Sequence, residues 1–239
     1  MVYEQDIESL FSSADLNEAE QFYLRSQATR LAYTVNLVQS FCDEHTVRRI
    51  LDVGPHFLTR CIKALIKPEV SVSTLGYEYG KVCPPDIVDE HVHYDLTDCM
   101  RKKPVHFKNA PFDLILFCET IEHLFIAPRL VLDLLKRLLT DRSGGLLIQT
   151  PNAVSIEKRV GMLLGRNPFE LLREDFEYKG HIREYTMDEL VNFGKALGLS
   201  VWRSEYSNYW PHLSPNRFCR FMQAIAPSFG QGITILFRS

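Results

Sequence analysis

Two phosphate-binding signatures are missing from this chain: it contains no Gly-x-Gly-x-x-Gly and no Gly-x-x-x-x-Gly-Lys-Ser/Thr. Such glycines let backbone approach a diphosphate, so their absence disfavours dinucleotides and nucleoside triphosphates as ligands. The one Gly-x-Gly, Gly230-Gln-Gly232, precedes the last apolar run and reads as a hairpin turn. No apolar run approaches the roughly 20 residues that cross a bilayer, so no membrane span is expected. The N-terminus, Met-Val-Tyr-Glu-Gln-Asp, is acidic and has no apolar core, unlike a signal peptide. The six cysteines form no Cys-x-x-Cys pair and lie mostly in apolar patterns, as reduced thiols of a cytoplasmic protein do. Neither charge dominates: 27 Lys and Arg face 30 Asp and Glu, a net −3, which is no footprint for nucleic acid. There is no internal repeat and no low-complexity tract. What remains is one ordinary domain of 239 residues, 46% hydrophobic, long enough for a well-buried core.

The stretch that organises this domain runs from Arg48 to Thr59. A short apolar run ends in Asp52, Gly54 and Pro55 punctuate it, and a helical pattern follows. That reads as a buried parallel strand, a tight turn and a helix N-terminus. In a doubly wound sheet, ligands bind at the carboxyl end of such a strand.

Ahead of it, apolar residues from Phe22 to Val38 recur at helical spacing, predicting one or two covering helices within residues 1–44. Strands are predicted at Arg49–Val53, Val70–Tyr77, Val92–Tyr94, Phe112–Cys118, Leu146–Thr150, Leu199–Tyr206 and Ile233–Arg238. Helices intervene over Leu58–Ile66 and from Pro128 through Leu139. Thr186-Met-Asp-Glu189 is a capping box opening a helix to Leu197. Residues 153–180 break the alternation and read as a partly helical lid insertion. The last strands are joined by too little helix for a full crossover, which allows an antiparallel pair.

A ligand without phosphates needs fewer glycines, and acids at successive strand ends become informative. Glu78, after the second strand, can accept from both hydroxyls of a ribose; Asp95, after the third, from an adenine amino group. Carboxylates there also suit a cationic ligand. The plain alternative is that they are solvated or capping acids.

Here the chain resembles the class I S-adenosylmethionine-dependent methyltransferases. Ile50-Leu-Asp-Val-Gly54 is similar to their first motif, Glu78 to the ribose-binding acid, and Tyr94-Asp-Leu96 to the adenine-side motif. Phe112 through Leu124, ending Glu-His-Leu, is similar to the fourth-strand motif; Gly144–Asn152 and Gly180–Thr186 are similar to later segments. The nearest branch acts on small molecules such as ubiquinone precursors and sugars. The departure is Pro55-His56-Phe57-Leu58, where further glycines are usual. The resemblance implies an α/β, Rossmann-like, doubly wound seven-stranded sheet, mostly parallel with an antiparallel last strand. It implies S-adenosyl-L-methionine held by Asp52, Gly54, Pro55, His56, Glu78, Tyr79, Asp95, Leu96 and Glu119.

For the chemistry, His123 is the candidate base, since it follows the fourth strand and histidine is the side chain type suited to proton transfer near neutrality; shaping the loop is the alternative. Glu122 reads as a packing or pairing residue. His181, Arg183 and Tyr185 alternate in an extended segment and can face one side as an acceptor pocket; equally, Tyr185 can staple onto Leu190. Trp202, Tyr209, Trp210 and His212 offer aromatic surface for a sugar, or ordinary packing. His91-Val-His93 with Cys83 and Cys99 is poorly spaced for zinc, and no metal is expected. The expected function is methylation of an oxygen or nitrogen of a small metabolite, a saccharide or glycoconjugate among the options. The alternatives are a non-catalytic scaffold of the same fold and a weaker reading, from Tyr77-x-x-x-Lys81, as an NAD(P)-dependent reductase. The oligomeric state is left open, a homodimer included.

Overall fold

A computed structural model of the protein describes residues 1–77, 80–174, 180–210 and 217–239. Its centre is β1 (Arg49–Val53), paired in parallel with β2 (Ser71–Gly76) and β4 (Leu114–Cys118). With β3 (Glu90–His93), β5 (Gly145–Pro151), β6 (Ser200–Ser207) and β7 (Gly232–Arg238) it forms one seven-stranded sheet in the order β3-β2-β1-β4-β5-β7-β6. Only β7 runs against the rest, pairing antiparallel with both β5 and β6. The chain lays strands outward from β1 to β3, then returns to place β4 on its other side. That reversal puts a crevice at the carboxyl ends of β1 and β4.

Alternation along each strand sends successive side chains to opposite faces. Leu51 and Val53 join the face covered by α4 (Pro128–Leu138) and α6 (Met187–Ala196). Ile50 joins the opposite face, under α1 (Glu4–Leu10), α2 (Glu18–Glu44) and α3 (Phe57–Leu65). Asp52 therefore points into the α2–α3 side rather than along the rim. Gly194 brings α6 onto β7: a Cβ there would lie 2.2 Å from the Phe237 ring, so only glycine permits this approach.

Local signals hold α2 and α6 in place. Asn17 Oδ1 accepts from Glu20 N at 2.9 Å while Glu20 returns a carboxylate to Asn17 N at 2.8 Å, capping α2 reciprocally. Thr186 and Glu189 do the same for α6. The covering helix runs unbroken for 27 residues. Phe22, placed on its apolar stripe by spacing, is instead 68% exposed. After β5 comes α5 (Ile156–Leu163), and α7 (Arg217–Ile225) precedes β7. Among the described residues no helix is long and apolar enough to cross a membrane.

Candidate functional site

The turn after β1 is built by glycine. Gly54 has φ +84°, a left-handed conformation, and its N–H donates to Leu75 O at 2.8 Å. A Cβ there would press on Thr120 Oγ1 at 3.1 Å. Gly54 is exposed at the crevice, whereas Pro55 is buried against Gly76. His56 is half-buried, with its ring edge-on to Tyr23 at 4.7 Å and to Phe57 at 4.9 Å. Burial and the Arg30 charge push His56 down to about 3, so it is neutral.

Asp52 does not reach the crevice, contrary to the cofactor-binding role that its motif implies. It is 2% exposed, and Thr59 Oγ1 donates to its Oδ2 at 2.6 Å. Thr59 Oγ1 also accepts from His56 N at 3.0 Å, so Asp52 anchors the turn from beneath. Burial raises its pKa to about 7, opposed by the Thr59 bond and by Arg30.

Glu119 begins the loop after β4. Its N–H donates to Gln149 O at 2.8 Å, and its φ of +49° is a left-handed conformation that costs a non-glycine residue about 1–3 kcal/mol. Such outliers cluster at functional sites. Glu119 Oε1 is buried and has no hydrogen-bond partner among the described residues. Behind it lies Arg30 of α2, buried, with Nε donating to Gln27 Oε1 at 2.9 Å and a terminal nitrogen 3.4 Å from the Tyr23 hydroxyl. Glu119 is the strongest influence keeping Arg30 protonated against burial. Sequence reading missed Arg30; the available signal was one charged residue inside an otherwise apolar stripe.

The next turn, Ile121–His123, faces the segment before α6. The Glu122 carbonyl accepts from Ile182 N at 2.8 Å and Arg183 N at 3.1 Å. His123 Nδ1 donates to Gly180 O at 2.8 Å, and its side chain is 44% exposed. His181 stacks edge-on to His123, ring centres 5.0 Å apart, and its Nδ1 is 3.1 Å from Glu184 Oε1. Glu184 also pairs with Lys158, whose ammonium bonds Asn152 O at 3.1 Å. Burial pushes Lys158 down to about 8 and, with repulsion from His123, pushes His181 down to about 4.

The segment does not present three residues to one pocket. His181 joins His123, but Arg183 turns outward to Glu189 at 2.5 Å. Tyr185 is 2% exposed in the same core cluster as Leu190, in line with the staple alternative. Tyr209 and Trp210 are likewise buried: the Tyr209 hydroxyl bonds Thr234, and Trp210 Nε1 donates to Gln27 at 3.0 Å. Asp95 caps the turn Leu96–Arg101, accepting from Thr97 N at 2.8 Å, and hydrogen-bonds the Tyr77 phenol. Glu78, Tyr79 and His212 lie outside the described residues. Hollows of about 310 and 180 Å³ occur near the C-terminus of α2, lined by residues such as His45 and Lys67, away from the crevice.

With this geometry in view, the sequence matches the methyltransferase domain family over residues 25–204. The chain belongs to that family. Solved structures repeat its sheet. A SAM-dependent methyltransferase from Archaeoglobus fulgidus is 15% identical, with 91% of this chain and 99% of that chain covered and a TM-score of 0.56. The plantazolicin methyltransferase BpumL, solved with a pentazolic desmethylPZN analog and SAH, is 14% identical over 99% and 95%, with a TM-score of 0.59. Magnesium protoporphyrin IX methyltransferase from Synechocystis, with bound SAH, is 11% identical over 97% and 92%, with a TM-score of 0.55. Identities this low carry the fold alone. No curated protein sequence matches the chain. S-adenosylmethionine is the methyl donor of the family, and the crevice of this methyltransferase suits it. An exposed glycine turn leaves backbone open to the methionine end, and the unpartnered Glu119 oxygen suits a cationic group beside it.

Proposed function

We propose that this methyltransferase transfers the S-adenosylmethionine methyl group to an oxygen or nitrogen of a small metabolite. The observation that carries the reading is Glu119: a half-buried residue in left-handed backbone, its Oε1 buried without a hydrogen-bond partner, at the point where the strand order reverses. Gly54 and Glu119 hold the methionine end, and Glu78 and Asp95 take the ribose and adenine ends. In this reading the acceptor gives its proton to His123 Nε2 and takes the methyl group, leaving S-adenosylhomocysteine. His123 is suited to that because its Nδ1 is committed as a donor to Gly180 O, which leaves the Nε2 lone pair free. A saccharide acceptor loses its proposed stacking partners in Tyr209 and Trp210, both buried. The acceptor class is therefore kept at small metabolites with an ionisable hydroxyl or amine.

The packed turn favours a second reading, a binding protein that has kept the fold without turnover: His56 and Pro55 occupy space that glycines would leave open. Calorimetry with S-adenosylhomocysteine, using NADH as a control, separates the two. Binding of the first and not the second is the expected result. Binding of neither removes the enzymatic reading.

A further inference from the structure

The loop after β4 holds another carboxylate, fully buried, that the methyl-transfer reading does not use. Glu122 is 0% exposed, and only its Oε2 is satisfied, by Thr150 Oγ1 at 3.1 Å. Its Oε1 has no hydrogen-bond partner, and the nearest described basic group is His123 Nε2 at 3.9 Å, too far for a hydrogen bond. Neighbouring cations are committed elsewhere: Lys158 to Glu184 and Asn152, Arg30 to Gln27 and Tyr23. A buried oxygen left this way carries its full desolvation penalty, so its position asks for a missing partner.

The two histidines beside it are oriented as ligands. A carbonyl can only accept, so His123 Nδ1 carries the proton donated to Gly180 O. His181 Nδ1 faces the Glu184 carboxylate, which fixes the same tautomer. Both rings thus keep a bare Nε2, the arrangement in which a carbonyl or carboxylate orients a metal-binding histidine. One ligand atom from each of Glu122, His123 and His181 lies within 4.8 Å of the other two. Ligands on one face of an ion at bonds of about 2.0–2.2 Å lie about 2.8–3.6 Å apart, so the 3.9 Å pair and the wider ones must draw in on binding.

We propose that Glu122, His123 and His181 bind one divalent transition-metal ion, in the Mn²⁺ to Zn²⁺ range, with Glu184 and the Gly180 carbonyl as orienting partners. Two nitrogens and one oxygen form a facial set with open coordination positions, and the half-exposed edge of His123 leaves them accessible to a bound acceptor. An ion there would make an acceptor hydroxyl more acidic. Its binding excludes the use of Nε2 as a proton acceptor, so the acceptor's proton would then pass to water.

The test is titration of the chelator-treated full chain with Co²⁺, read by visible absorption and calorimetry, with S-adenosylhomocysteine binding measured on the same metal-free sample. One equivalent of Co²⁺ is expected, displaced by Zn²⁺. Glu184→Gln should weaken it ~10–100-fold, as loss of an orienting partner does. Glu122→Gln, which keeps the Thr150 bond, and His181→Asn, on the surface segment, should weaken it further. His93→Ala, on exposed β3, should change nothing. No bound equivalent, or a stoichiometry indifferent to both ligand variants, would overturn the site. S-adenosylhomocysteine binding without metal binding would sink this inference and leave the methyltransferase reading standing.

Discussion

Replacing Asp52 with Asn tests whether the first-strand acid is an anchor held in apolar surroundings. Burial lifts its pKa from the ordinary 3.8 to about 7, because the charged form loses water while Thr59 and Arg30 compensate only in part. The folded chain therefore keeps a proton that the unfolded chain has already released. Stability contributed by this group must fall as pH rises from the unfolded value through the folded one. Integrating the proton difference between about pH 5 and about pH 8 gives a loss of ~3 kcal/mol. Asn keeps an oxygen that can accept from Thr59 and cannot ionise. Whatever fixed cost the amide carries cancels when the two pH values are compared. The assay is urea denaturation of both proteins at each pH. The stability gap between wild type and variant should move by ~3 kcal/mol in favour of the variant at the higher pH. Parallel curves would show that Asp52 ionises freely and faces the crevice after all.

Glu119→Gln should weaken S-adenosylhomocysteine binding by ~1–3 kcal/mol in calorimetry. The same change takes away the strongest charge compensating buried Arg30, so stability in urea should fall as well. Unchanged affinity would take Glu119 out of the cofactor site. Gly194→Ala should destabilise by ~1–3 kcal/mol, since the new methyl meets the Phe237 ring at 2.2 Å. A variant as stable as wild type would show that α6 shifts off β7 freely.

Much of the architecture is legible because it depends on local pattern. The run Arg49–Val53 ends as a strand where a glycine turn follows, and the predicted boundaries of β4 and β5 fall within two residues of those observed. The capping box at Thr186 starts α6 where spacing places it. The short α1 carries too few apolar residues to announce itself, with Ile7 its one buried side chain, and exists because it docks on α2.

Side-chain direction was settled by the sheet as a whole. A motif places Asp52 beside the turn, but strand pleating and the covering helices turn it inward, towards Thr59 and Arg30. Tyr185 and Arg183 share a short extended segment, yet one enters the core and the other meets Glu189. The meeting of Glu122, His123 and His181 joins loops distant in sequence, His123 and Gly180 being 57 residues apart, brought together by the order in which strands are laid beside β1. The sequence by itself determined which segments are strands and where the chain turns, since each follows from neighbours a few residues away. Only the tertiary structure decided which of those groups face one another, because long-range partners depend on how whole elements pack.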